Sequence, residues 1–182
     1  MTSNQRLMNK LFYLLPMIFG WMISLTGVAG LLFIAAQGRG RDAEVVPLLI
    51  PFAMLPAMLG VAIPLMVLVY KLWAALPASH SRTTPGLAVG LLFIPIFNLY
   101  WMFQAFWGWT QDFNRYIAAS GSNVKQAPQG LAMTICIFTL LSMIPLLGIV
   151  FALLNQILLL VFVSKAINSV NSFVASGGKN SV

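Results

Sequence analysis

Residues 11–36 read LFYLLPMIFGWMISLTGVAGLLFIAA, a run without a single charged side chain. A helix needs roughly 20 apolar residues to cross the ~30 Å hydrocarbon core of a bilayer, and this run is longer than that. Three more uncharged stretches follow at 45–70, 86–111 and 130–164. The chain therefore reads as a polytopic membrane protein. Composition agrees: 60% of the 182 residues are hydrophobic and 7% charged, against about 25% charged in soluble globular proteins.

Four spans, at about 11–36, 45–75, 86–111 and 130–164, leave connections too short to fold as a soluble domain of about 50 residues. The expected architecture is all-α: one membrane domain over 1–182, a bundle of four transmembrane helices with the second, third and fourth kinked, and a flexible tail at 173–182. Gly38 to Glu44 is expected to form a tight hairpin turn. Pro47, Pro51, Pro56 and Pro64 fall in the second span, where each removes a backbone donor and crowds the preceding turn, so its start is expected to be irregular. Pro85 stands where a first-turn proline is tolerated. The fourth stretch exceeds what a bilayer needs and must tilt, bend or project.

The ten Lys/Arg and three Asp/Glu give a net charge of +7. The cations are scattered singly or in pairs, which suits helix-end anchors against anionic headgroups and argues against nucleic acid. Under the positive-inside rule, Arg6, Lys10, Lys71, Arg82, Lys165 and Lys179 fall on one side of a four-span chain. Arg39, Arg41, Arg115 and Lys125 fall on the other. That balance places both termini in the cytoplasm. The N-terminal run is too long for a signal-peptide core, so it reads as an uncleaved first span in a bacterial inner membrane.

Residues for chemistry are few. Asp42, Glu44 and Asp112 all lie at or beyond span ends, His80 is the only histidine, and Cys136 is the only cysteine. No triad or metal-ligand set can be assembled from them. Proton-coupled transporters keep an ionisable group at the midplane, and none is visible. The expectation is a non-enzyme with no catalytic residue, metal or cofactor.

Polar and aromatic residues concentrate on the third helix. Asn98 lies near its centre, and Gln104, Gly108, Gln111 and Arg115 follow at spacings of four, three and four, which places them along one face. The fourth helix offers Asn155 and Gln156, then Lys165, Asn168 and Ser172. These amides read either as interhelical hydrogen bonds or as a polar groove for a lipid headgroup or a narrow pore. Around them stand Phe97, Tyr100, Trp101, Phe103, Phe106, Trp107, Trp109, Phe113 and Tyr116, more aromatics than one interfacial belt requires. Trp101, Phe106, Trp107 and Trp109 are candidates for contact with a partner or a lipid. Gly86 and Gly90 would let another backbone approach closely.

Two echoes run through the chain. Leu15-Pro16 with Gly20 matches Leu55-Pro56 with Gly60, and Ile94-Pro95 with Asn98 matches Ile144-Pro145 with Gly148. A duplicated hairpin would produce them, and so would the general frequency of Pro and Gly in membrane helices.

Thr84 to Gly90, with Phe93 to Trp101, resembles the pattern P-G-x-A-V-G-x-x-F-I-P-x-x-N-x-Y-W of an uncharacterised family of small bacterial four-helix integral membrane proteins. Asp112 and Asn114, then Ile144-Pro145 to Gly148 and Val170-Asn171, are similar to its later features. Ala166-Ile167-Asn168 departs from the polar Cys-Asp-like pair of that family. The resemblance covers about the C-terminal half and implies four-span topology and an important third helix, without an activity.

The expected function is a non-enzymatic inner-membrane subunit, surrounded by membrane lipids, that forms a homo-oligomer or joins a larger membrane complex through its aromatic third helix. The alternative is a small channel, or a carrier of lipid or another hydrophobic ligand, with a polar groove between helices three and four.

Overall fold

Proline has two different effects in this chain: four prolines are absorbed into one long helix, and two others reverse the chain. The computed structural model describes residues 8–37, 41–145 and 147–177, apart from the side chains of 41–44. The described residues are helical and contain no strand. Three helices are long and apolar enough to cross a membrane: Lys10–Gln37, Val45–Ala74 and Gly148–Ala175. The chain divides into two compact units, 11–66 and a second made of 1–10 with 67–182.

The first unit holds most of α1 (Lys10–Gln37) and the greater part of α2 (Arg41–Ala74). At 1.5 Å per residue each is more than ~40 Å long, enough to span hydrocarbon with a tilt. The irregular start expected for the second span is absent: α2 is continuous from Arg41 through all four prolines. Neighbouring groups can satisfy the carbonyls that proline frees in a membrane helix. Of the expected tight turn, Gly38 to Gly40 lie outside the described residues, and Arg41 to Glu44 are already helical.

The two helices meet through glycine. A Cβ on Gly20 would run into the Pro56 carbonyl oxygen, and one on Gly60 would sit 2.6 Å from the Pro16 carbonyl oxygen and 3.1 Å from the Gly20 Cα. Each glycine thus faces the other helix's proline carbonyl, a reciprocal contact of the kind that supports Cα–H···O attraction. Beside it the Ala57 N–H donates to the buried Ser24 Oγ at 2.8 Å. The first sequence echo is this contact. Gly86 and Gly90, by contrast, have nothing within 4 Å of a built Cβ, so the close approach expected there does not occur among the described residues.

In the second unit, the expected third span does not run straight. Thr84 caps α3 (Pro85–Gly90), its Oγ1 accepting from the Leu87 N–H at 3.4 Å. A tighter 3₁₀ turn, Leu91–Phe93, follows, and the chain then reverses. Ile94 precedes a proline and is extended, as steric pressure from the ring requires. Ile96 has φ 65° and ψ −52°, and the Phe97 N–H reaches back to the Pro95 carbonyl at 2.7 Å. That is a γ-turn of the rare, strained, positive-φ kind. The returning arm is α4 (Phe97–Met102), a π-helical turn Phe103–Gly108, and α5 (Trp109–Ala119).

The expected fourth span is broken in the same way. Helix α6 (Gln129–Leu141) ends, and α7 (Gly148–Ala175) begins after a turn around Pro145. Phe138 meets Phe151 with ring centroids 5.2 Å apart, and the Asn155 Nδ2 donates to Thr139 Oγ1 at 2.9 Å. Further along, Ser169 Oγ donates to the Gln126 carbonyl at 3.2 Å; from the 126–169 contact to the 139–155 contact the numbers rise on one arm and fall on the other, which identifies an antiparallel hairpin. The two reversals share their hydrogen bonds: Phe97 N–H to Pro95 at 2.7 Å beside Leu147 N–H to Pro145 at 2.8 Å, and Asn98 N–H to Ile94 at 2.9 Å beside Gly148 N–H to Ile144 at 2.7 Å. The second echo is therefore a repeated turn.

Helix α7 persists past the expected start of a flexible tail at 173. Ser169, Val170 and Phe173 are buried, and the Asn171 amide clamps the Met8 backbone through two hydrogen bonds of 2.9 Å. That burial and pairing hold the helix to Ala175.

Candidate functional site

The mouth of the first reversed hairpin is closed by charge. Helix α2 ends at Ala74, Pro77 starts a single 3₁₀ turn at Ala78–His80, and Arg82 follows in the loop before Thr84. Arg82 reaches α5 on the returning arm, where Asp112 accepts from it three times: its backbone N–H at 3.0 Å, Nε at 2.9 Å and Nη2 at 2.7 Å. Arg115 Nη2 adds a fourth donor at 2.7 Å. The carboxylate, only 4% exposed, thus has all of its roughly four lone-pair positions occupied. Burying a charge requires such pairing.

The amides on this face hold the same guanidinium. Gln104 Oε1 accepts from Arg82 Nη1 at 3.1 Å, and Gln111 Oε1 accepts from Nη2 at 3.0 Å. Gly108 supplies the space: a Cβ there would stand 3.1 Å from Arg82 Nη1. The π-helical turn beneath is held by outside donors, as the wide turn leaves carbonyls to satisfy. Trp73 Nε1 donates to the Ala105 carbonyl at 3.0 Å, and Cys136 Sγ approaches the Met102 carbonyl at 3.6 Å. Trp109 Nε1 answers with a 2.8 Å bond to the Leu72 carbonyl.

An open hollow of about 590 Å³ lies over this cluster, lined by Ser79, His80, Ser81, Arg82, Asp112 and Arg115. The His80 ring lies against Tyr116, with centroids 5.0 Å apart, and its Nδ1 is 3.0 Å from Ser79 Oγ. The loop at 120–128 is pinned nearby, because Asn114 exchanges two hydrogen bonds with the Ala127 backbone at 3.0 and 2.7 Å.

The other sequence candidates fall elsewhere. Asn98 is exposed at the first reversal, apart from Gln104 and Gln111, because the turn and the π-helical segment break the straight-helix spacing that put it on their stripe. Asn155 pairs with Thr139 inside the second hairpin, while its Oδ1 and the Gln156 Nε2 are buried without a hydrogen bond. Phe106 packs on Phe162 with centroids 6.0 Å apart, and Trp109 stacks on Phe113 at 5.0 Å. At 8% and 0% exposure those two rings are interior, which removes them as a contact surface. Trp101, tied by Nε1 to the Ala88 carbonyl at 3.1 Å, and Trp107 are half-buried.

The residue that sequence reading missed is Arg82. It stands before the reversal and its partners after it, so no periodicity joins them. Among the described residues, no three His, Cys, Asp or Glu side chains come together. No protein family, curated protein or solved structure matches the chain.

Proposed function

We propose that the chain is a non-enzymatic integral protein of a bacterial cytoplasmic membrane, acting as a subunit that associates in the membrane plane with its own copies or with a larger complex. The observation that carries this reading is the apolar surface of the three long helices. Phe12, Phe19 and Phe33 on α1, Phe52 and Met58 on α2, and Ile149 and Ile157 on α7 are all more than half exposed. Water would not tolerate so much exposed apolar area, whereas lipid or another membrane protein covers it. The association surface lies on these faces rather than on the buried rings of the aromatic helix.

Within the unit of 67–182, the two reversed hairpins enter and leave through a single face. Lys71, Arg82, Arg115, Lys125 and Lys165 share that face. The positive-inside rule then sets the cation-rich face and both termini in the cytoplasm.

Cross-linking in native membranes, followed by mild solubilisation and mass spectrometry, tests the subunit reading. A specific species larger than the 19.9 kDa chain is expected. Recovery of the uncross-linked monomer alone would refute it.

A further inference from the structure

We propose that the Arg82–Asp112–Arg115 mouth is a binding site for the phosphate of an anionic phospholipid, entered from the membrane surface. The inference rests on the membrane reading and adds a ligand to it. Two guanidiniums share one carboxylate there, so the cluster keeps one surplus positive charge. Arg82 directs four of its N–H donors to Asp112, Gln104 and Gln111. Arg115 directs one to Asp112 and is 70% exposed, which leaves its remaining donors for a ligand. Ser79, His80 and Ser81 line the same hollow opposite them. A guanidinium already oriented by a carboxylate is well suited to a phosphate's fixed oxygens.

The second half of the argument is apolar. A neighbouring hollow of about 360 Å³ is lined by Trp73, Leu76, Pro85 and Leu87 among others, and it shares Ser81 and Arg82 with the charged one. Ser81 and Arg82 therefore border both a charged hollow and a more apolar one, whose lining also includes Thr83 and Thr84. That is the arrangement of an amphiphile: phosphate on the charged side, and the first acyl carbons along Leu76 and Leu87. A free phosphate would use only the first chamber, so the pair of hollows favours the lipid.

The test uses the purified full-length protein in nanodiscs and in detergent, with native mass spectrometry and titration. The probes are phosphatidylglycerol, phosphatidylcholine with the same acyl chains, and inorganic phosphate. Phosphatidylglycerol should be retained over phosphatidylcholine, and Arg115→Gln should weaken it roughly five- to tenfold, as expected for one cation near an anionic surface. Arg115→Gln leaves the Arg82–Asp112 pair in place, and His80→Gln provides a second variant expected to weaken binding without touching that pair. Equal retention of the two lipids, or unchanged binding in both variants, would overturn the proposal. Inorganic phosphate competing as well as lipid, with Leu87→Ser having no effect, would overturn the lipid assignment in favour of a free anion. A chain extracted from membranes by alkaline carbonate would sink the membrane reading, and the lipid site with it. A chain that stays membrane-bound without lipid preference would sink the site alone.

Discussion

Coupling between Arg82 and Asp112 distinguishes a reversed hairpin from a straight third span. In a continuous helix Asp112 would stand roughly 39 Å along the axis from Gly86, out of reach of Arg82. In the hairpin the two make three hydrogen bonds of 2.7 to 3.0 Å. Asp112→Ala strands a guanidinium and the Arg82 backbone N–H at a site where the carboxylate is 4% exposed. Breaking a fully buried pair costs about 3–5 kcal/mol. Arg82, 30% exposed, can partly rehydrate, so the expected loss is about 2–4 kcal/mol.

The assay is a double-mutant cycle of Arg82→Ala and Asp112→Ala, read by thermal unfolding in one detergent. The double variant should lose about 1–3 kcal/mol less than the sum of the singles, because each single already removes the shared bonds. Arg115→Ala is the control: its i,i+3 pair has an arginine side chain that is 70% exposed, and it should cost no more than about 0.5 kcal/mol. Additivity of the two singles within about 0.5 kcal/mol would show that they do not touch and refute the hairpin.

Sidedness offers a second check: with Cys136→Ala as background, Ser81→Cys and Ser120→Cys should label from the same face with an impermeant thiol reagent, and labelling from opposite faces would restore a crossing third helix. Gly20→Leu should separate α1 from α2 and cost at least about 2 kcal/mol, measured by unfolding, since even a Cβ meets the Pro56 carbonyl there; a neutral result would remove the glycine contact. Ile96→Gly should be neutral or stabilise by up to about 1 kcal/mol, because Ile96 has φ 65° and is 86% exposed; a loss of more than that would mean the turn is held by the isoleucine itself.

The long apolar runs were legible because crossing length is a property of composition. Residues 11–36 and 45–70 became α1 and the body of α2, and the stretch at 130–164 supplied much of α7. Direction of travel was not legible. An apolar run says how much chain sits in hydrocarbon, and says nothing of whether it goes through or returns. Gln104 and Gln111 stood out in the sequence as amides on one face, but their common partner lay on the other arm of a turn and was invisible to helical spacing. Asn98 was added to that face by assuming a straight helix.

The turns did leave a trace in the repeated Ile-Pro. A proline within a helix usually kinks it while the axis continues, and α2 shows four prolines absorbed in that way. What separates Pro95 and Pro145 from those four is what surrounds them. The arm before Pro95 is short, α3 of six residues and a 3₁₀ turn of three, about 15 Å and so roughly half a hydrocarbon core. A segment ending there leaves backbone donors at mid-depth unless the chain turns tightly enough to satisfy them itself. The bonds to Pro95 and Ile94, and again to Pro145 and Ile144, do so with backbone alone. In a bilayer, where lipid supplies no hydrogen bonds, a reversal must close its own, and both Ile-Pro turns do so with the same pair of backbone bonds.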